Sequence, residues 1–179
     1  MTSAVRTLTL AAASAAAGLA AICSPLAAAQ TAPAAPIAEP FSLPLGPVPS
    51  ALHGVPCTVS GEAGLACFPA DVTTQPVIGV TVSDWTRPLS RQDLVRFVED
   101  TIYEGSPGKL LQRVDFAPPT DPDATGFRAL YQTSAGNHHV WAVVSRGKLV
   151  IAIAITPAPD AFAAMDRDIE RRIFGVAPR

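Results

Sequence analysis

Between Asn137 and Pro157 the chain carries two β-prone apolar runs, His138 to Val144 and Lys148 to Ile155, separated by Ser145-Arg146-Gly147. Apolar runs flanking a short polar segment that contains Gly are the signature of a β-hairpin. The second run alternates by size: Leu149, Ile151, Ile153 and Ile155 point one way, and Val150, Ala152 and Ala154 the other. A strand that is apolar on both faces must be covered on both, so this hairpin is expected at the buried centre of a sheet.

Loop chemistry then bears on its register. Gly147 at a third loop position suits a type I turn closed by a left-handed residue, which pairs Val144 with Lys148. Trp141 then lies across from Ile151, and His139 across from Ile153. A two-residue loop would place Arg146 at positive φ, at a cost for a non-glycine residue. It would also move the isoleucine row to the face opposite Trp141. The first register is the one expected, with Trp141, Ile151 and Ile153 sharing one side.

The chain ahead of this core divides by composition. Residues 1–29 read as an export signal: Arg6 in the basic region, an apolar run from Leu8 to Ile22, and Ala27-Ala28-Ala29 as a small-residue cleavage site before Gln30. The apolar run is shorter than the roughly 20 residues a membrane-spanning helix needs, so no span is expected after cleavage. Cys23 follows Ile22, where lipoprotein processing would want a small residue. Residues 30–50, with Pro33, Pro36, Pro40, Pro44, Pro47 and Pro49, read as a Pro/Ala-rich linker. Phe41, Leu43 and Leu45 interrupt it and could pack on the domain, which is expected over residues 51–179 as a single unit.

The whole chain has a formal net charge of −2, and Arg6 is the one charged residue of the signal. Lys109 and Lys148 are the only lysines. Such a surface offers no electrostatic footprint for nucleic acid. Cys57 and Cys67 form an even pair around Gly61-Glu62-Ala63-Gly64, and in an exported chain that reads as a disulfide closing a hairpin or short loop. Zinc would need two further ligands that the spacing does not supply.

Further along, Val77 to Val82 reads as a strand, and Ser90-Arg91-Gln92-Asp93 resembles a capping box opening a helix that Gly105 ends. Its apolar stripe is Leu94, Phe97, Val98, Thr101 and Ile102, with Glu99, Asp100 and Glu104 on a solvated face. Leu110 to Phe116 and Gly126 to Thr133 read as strands around a turn-rich loop. A last helix is expected from Pro159, with Phe162, Met165, Ile169 and Ile173 as its stripe. The expected class is α+β: an antiparallel β-meander flanked by two helices, with a disulfide-closed N-terminal loop.

The chemistry-bearing residues do not form a recognised constellation. His138 and His139 are neighbours on a strand and point to opposite faces, so they cannot chelate one ion together. Asp121-Pro122-Asp123 lacks calcium-loop spacing, and neither a nucleophile elbow, a phosphate loop nor a zinc-helix motif occurs. No catalytic residue, cofactor or metal is therefore assigned, and Cys57 and Cys67 are the only site residues, as a disulfide. The segment from about Val77 to Phe174, with Trp141 to Ile155 followed by Pro159 to Phe174, resembles the PsbP-like fold, whose members place an antiparallel sheet between helices. Many bacterial members are exported accessory proteins without catalytic activity, and that is what the resemblance implies. The expectation is a periplasmic or secreted, non-catalytic accessory or binding protein of the bacterial cell envelope, with an envelope protein or a small apolar ligand as partner. The small-residue face of Val150, Ala152 and Ala154 is its expected binding surface. The alternative is a small hydrolase with a dispersed site drawn from His53, His138, His139, Asp121 and Asp123.

Overall fold

The computed structural model describes residues 41–61, 63–105, 108–157 and 162–177. The expected signal, most of the linker and the helix start at Pro159 lie outside them. The elements run β1 (Ala51–Leu52), β2 (Val55–Ser60), β3 (Gly64–Cys67), β4 (Val77–Asp84), α1 (Arg91–Tyr103), β5 (Lys109–Asp115), β6 (Thr125–Thr133), β7 (Gly136–Ser145), β8 (Lys148–Thr156) and α2 (Phe162–Phe174). All strands belong to one antiparallel sheet of order β1-β2-β3-β4-β8-β7-β6-β5. The expected α+β class and meander are both present, as two four-strand meanders joined where β4 pairs β8. No described helix is long and apolar enough to cross a membrane.

Cys57 and Cys67 face each other across the β2–β3 hairpin and are bonded. Ser90 caps α1 as expected: its side chain accepts from the Asp93 backbone N–H and donates to the Asp93 carboxylate at 2.5 Å. Helix α2 ends at Gly175, where φ is +67° and a Cβ would lie 2.7 Å from the Leu45 carbonyl. The Val176 N–H closes the turn on the Glu170 carbonyl. Leu43 and Leu45 are buried in the same core, and Phe41 packs against it.

The central hairpin departs from expectation. Ser145 pairs with Lys148, Trp141 with Ala152 and His139 with Ala154. The loop has two residues, with φ +51° at Arg146 and +73° at Gly147. Positive φ at both central positions is the type I′ geometry, whose twist matches that of the strands it joins. The Arg146 guanidinium is anchored by the Pro44 and Thr120 carbonyls, which offsets its backbone cost. Ile151 and Ile153 therefore lie on the face opposite Trp141. The reason is volume: a buried indole under a helix needs small neighbours, and Ala152 and Ala154 supply the space.

Two cores result. On one face α2 contributes Met165, Ile169, Ile173 and Phe174, which meet Trp141, Val143, Val150, Ala152, Ala154, Ile78 and Val80. On the other, Leu94, Val95 and Val98 of α1 meet Phe127, Ala129, Tyr131, Val140, Ala142 and Leu149, with Ile151 and Ile153 half-buried at the margin. Val150, Ala152 and Ala154 are fully buried. The surface expected to bind a ligand is thus inside the molecule, because the small side chains that suggested an open patch are what lets α2 approach.

Candidate functional site

The polar residues that matter lie where α2 meets the outer half of the sheet. Strand neighbours two apart share a face, so His139 and Trp141 of β7 both point toward α2, while His138 points toward α1. Positions four apart share a helix face, which puts Asp166 and Glu170 of α2 side by side. The spacings agree: about 6 Å for four helical residues against about 6.7 Å for two strand residues. Two donors on the strand thus meet two acceptors on the helix. His139 Nδ1 lies 2.9 Å from Asp166 Oδ1, and Trp141 Nε1 donates to Glu170 Oε1 at 3.4 Å. From β6, Arg128 adds a charge-assisted bond to the same Glu170 oxygen at 2.9 Å.

Arg128 stands on the wall of a groove of about 760 Å³ between α2 and the outer strands. Val114 and Phe116 form apolar wall, and Arg167 and Arg171 reach it from α2. That volume falls within the roughly 300–1,000 Å³ of ligand sites. The recess beside His139 and Asp166, which shares Val114 and Arg128 with the groove, holds only about 50 Å³. Midway along α2, between Asp166 and Glu170 in sequence, Asp168 accepts from the His53 backbone N–H at 2.7 Å and from Arg171 and Arg172. Burial pushes this carboxyl up, but the His53 N–H and the two arginines together outweigh it and hold it below the usual range.

On the α1 face, His138 Nδ1 lies 3.2 Å from the Tyr103 hydroxyl and Nε2 3.2 Å from Thr133 Oγ1. Loss of solvent lowers its pKa from the ordinary 6.5. Tyr131 donates to Glu99 at 2.8 Å, and desolvation followed by that carboxylate raises the Tyr131 pKa. Glu99 is therefore a partner of the core and not simply part of a solvated face.

The five residues of the dispersed hydrolase reading are not brought together. His53, His138 and His139 engage Asp168, Tyr103 with Thr133, and Asp166 respectively, and Ser145 donates to Asp121. Asp121 and Asp123 line a separate hollow beside Arg87. No hydrogen bond among the described residues joins any two of the five. The residues that sequence reasoning missed are Arg128, Asp166 and Glu170. Their only sequence signal was the four-residue spacing of two acids inside an amphipathic helix, which solvated faces also show.

No family model matches the chain, and no curated protein matches it. Among solved structures it is similar to cyanobacterial PsbP (CyanoP) from Synechocystis sp. PCC 6803, at 15% identity and a TM-score of 0.34, over 72% of this chain and 95% of that one. This is the PsbP-like resemblance expected from the order of elements.

Proposed function

We propose that the protein is an exported, non-catalytic accessory or binding protein of the bacterial cell envelope, periplasmic or secreted, that holds its partner in the groove between α2 and strands β5 and β6. The partner of this reading is a segment of an envelope protein; a small apolar ligand is the other occupant the groove admits. The observation that carries it is Arg128, fixed by Glu170 beside the apolar wall of Val114 and Phe116 in a space of ligand size. A charge held in place next to an apolar surface orients a partner at little entropic cost. Support for export comes from the signal-like residues 1–29 and from the Cys57–Cys67 bridge, which persists in oxidising compartments. The Pro-rich stretch ahead of the domain suits a tether.

Photo-crosslinking in the producing cell tests this. A probe at Arg167, on the groove, should capture a discrete partner, and Arg128→Glu should abolish that capture. A control probe at exposed Arg96 on α1 should capture none. Equal capture at both positions, or capture indifferent to Arg128→Glu, sinks the reading.

The hydrolase alternative has one observation in its favour: Asp166 engages His139 as a carboxylate engages a general base. The adjoining recess of about 50 Å³ is far below substrate size. Turnover in a broad ester, phosphate and glycoside screen that His139→Ala abolishes would establish it.

A further inference from the structure

Strand β5 ends the sheet, and no described strand pairs with its outer edge. Six of its seven residues are exposed, including Leu110 at 40% and Leu111 at 45%. An unpaired edge is a template for another strand, and proteins that avoid such pairing blunt it with bulges and lysines. Here both devices sit at the N-terminal end, as Lys109 and the bulge between Leu110 and Gln112. From Gln112 to Asp115 the pairing with β6 is regular, and the two charges on that stretch, Arg113 and Asp115, are of opposite sign.

The parity of that edge can be worked out. Phe116 N–H donates to the carbonyl of Gly126, which lies directly opposite it in the continuing register. Hydrogen-bonded pairs alternate along an antiparallel ladder. Val114 and Gln112 therefore turn their backbone groups inward to β6, and Arg113 and Asp115 turn theirs outward. The side chains alternate too. Arg113 and Asp115 lie on the α1 face, within ion-pair reach of Glu99 at 4.0 Å and Arg91 at 2.5 Å. Val114 and Gln112 lie on the α2 face, on the wall of the groove and recess described above.

We propose that the β5 edge pairs with the β5 edge of a second copy of this chain, antiparallel about a two-fold axis at Val114, to give one continuous sheet. This register alone satisfies three conditions at once. It makes Arg113 and the partner copy's Asp115 a hydrogen-bonded pair, as their outward backbone groups require. It sets opposite charges face to face on the α1 side, where the alternative centred on Arg113 would oppose two guanidiniums. It also stays clear of the bulge. On the α1 face the charges then alternate as Arg91, Asp115, the second copy's Arg113 and its Glu99, and the two-fold repeats the series. On the α2 face Val114 meets Val114, so the two grooves lie side by side on one surface. Pairing of identical patches about a two-fold axis is closed and does not propagate, since the other edge of the sheet is the two-residue β1.

The test is sedimentation velocity on the processed protein, produced from the full chain. Wild type is expected to be a concentration-dependent dimer. Arg113→Asp gives an edge of two acids and Asp115→Arg an edge of two arginines, so each variant alone should dissociate at least about tenfold more readily, while an equimolar mixture should restore the dimer. Both side chains are exposed, and circular dichroism checks that the variants fold. Arg113→Pro, which deletes an outward N–H at a tolerated edge position, should also give monomer. A wild type that stays monomeric over the concentration range overturns the proposal, and so does a dimer that both charge variants keep. Capture of an unrelated protein by a monomeric wild type through a probe at Arg113 would assign the edge to that partner instead, and likewise overturns self-pairing. Groove probes at Arg167 report independently on the binding function.

Discussion

His138 and His139 are adjacent in sequence and sit in opposite physical settings. His138 lies on the α1 side between Tyr103 and Thr133, with an aromatic ring 5.6 Å away and its charged form disfavoured by loss of solvent. His139 lies on the α2 side against the Asp166 carboxylate, in line with the Trp141–Glu170–Arg128 set. The α1 interface sets His138 among neutral hydroxyls and keeps its ion pairs, Arg91–Asp115 and Arg113–Glu99, at the β5 edge; the α2 interface brings Asp166 and Glu170 in against the buried His139 and Trp141 and opens into a groove at its outer end. The difference teaches that two helices of equal length on one sheet need not have equal roles. Helix α1 packs over β6 and β7 and leaves Ile151 and Ile153 of β8 half-buried at its margin, while α2 packs over β4, β8 and β7 and leaves a charged wall over β5 and β6.

Four substitutions test that contrast. The largest effect should come from Trp141→Ala, about 3–5 kcal/mol by urea denaturation, with Phe127→Ala on the α1 side in the same range. A loss below about 1 kcal/mol for Trp141→Ala would mean that α2 does not seat on the indole. Next, Ala152→Leu should destabilise by about 1–3 kcal/mol, because the added volume meets Trp141 across the strand pair. Ile153→Ala, half-buried at the margin of the other core, should cost less than full core truncation, roughly 1–2 kcal/mol. If Ile153→Ala proves the more damaging of the two, the hairpin register is that of the three-residue loop.

Glu170→Ala should cost about 1–3 kcal/mol, since it strips a shared acceptor from Arg128 and Trp141 together. In the Arg128→Ala background the same change should cost distinctly less, and a double-mutant cycle measures the difference. Additivity of the two changes would show that the bridge is only geometric.

The smallest effect is a pH dependence. The His138 pKa is lowered in the folded state, so between that value and 6.5 the unfolded chain binds more protons. Its contribution is complete above about pH 6.5 and is lost as pH falls below it. Asp168 behaves in the same sense at lower pH, being held below 3.8 and giving up its contribution as pH drops through that region. Denaturation midpoints between pH 7 and 5 should fall for wild type and fall less for His138→Phe. An unchanged slope in that variant would place the pH-sensitive group elsewhere.

Much of this molecule follows from short-range chemistry. The Ser90 cap, the stripe of Met165, Ile169 and Ile173, the bonded Cys57 and Cys67, the burial of Trp141 and the opposed histidines are properties of periodicity and local hydrogen bonding. The sequence by itself determined these, because each depends on residues within a few positions or on the alternation of a strand. Only the tertiary structure decided the rest. A local argument about φ at Arg146 pointed to the wrong register, since the strain of one residue is outweighed by the volume match of Trp141 over Ala152 across every pair of the hairpin. The β4–β8 pairing and the meeting of Arg128 with Glu170, 42 positions apart, were equally hidden. They depend on which surfaces fit once the layers are stacked, and complementarity of that kind is a property of pairs of elements, which no single stretch of sequence carries.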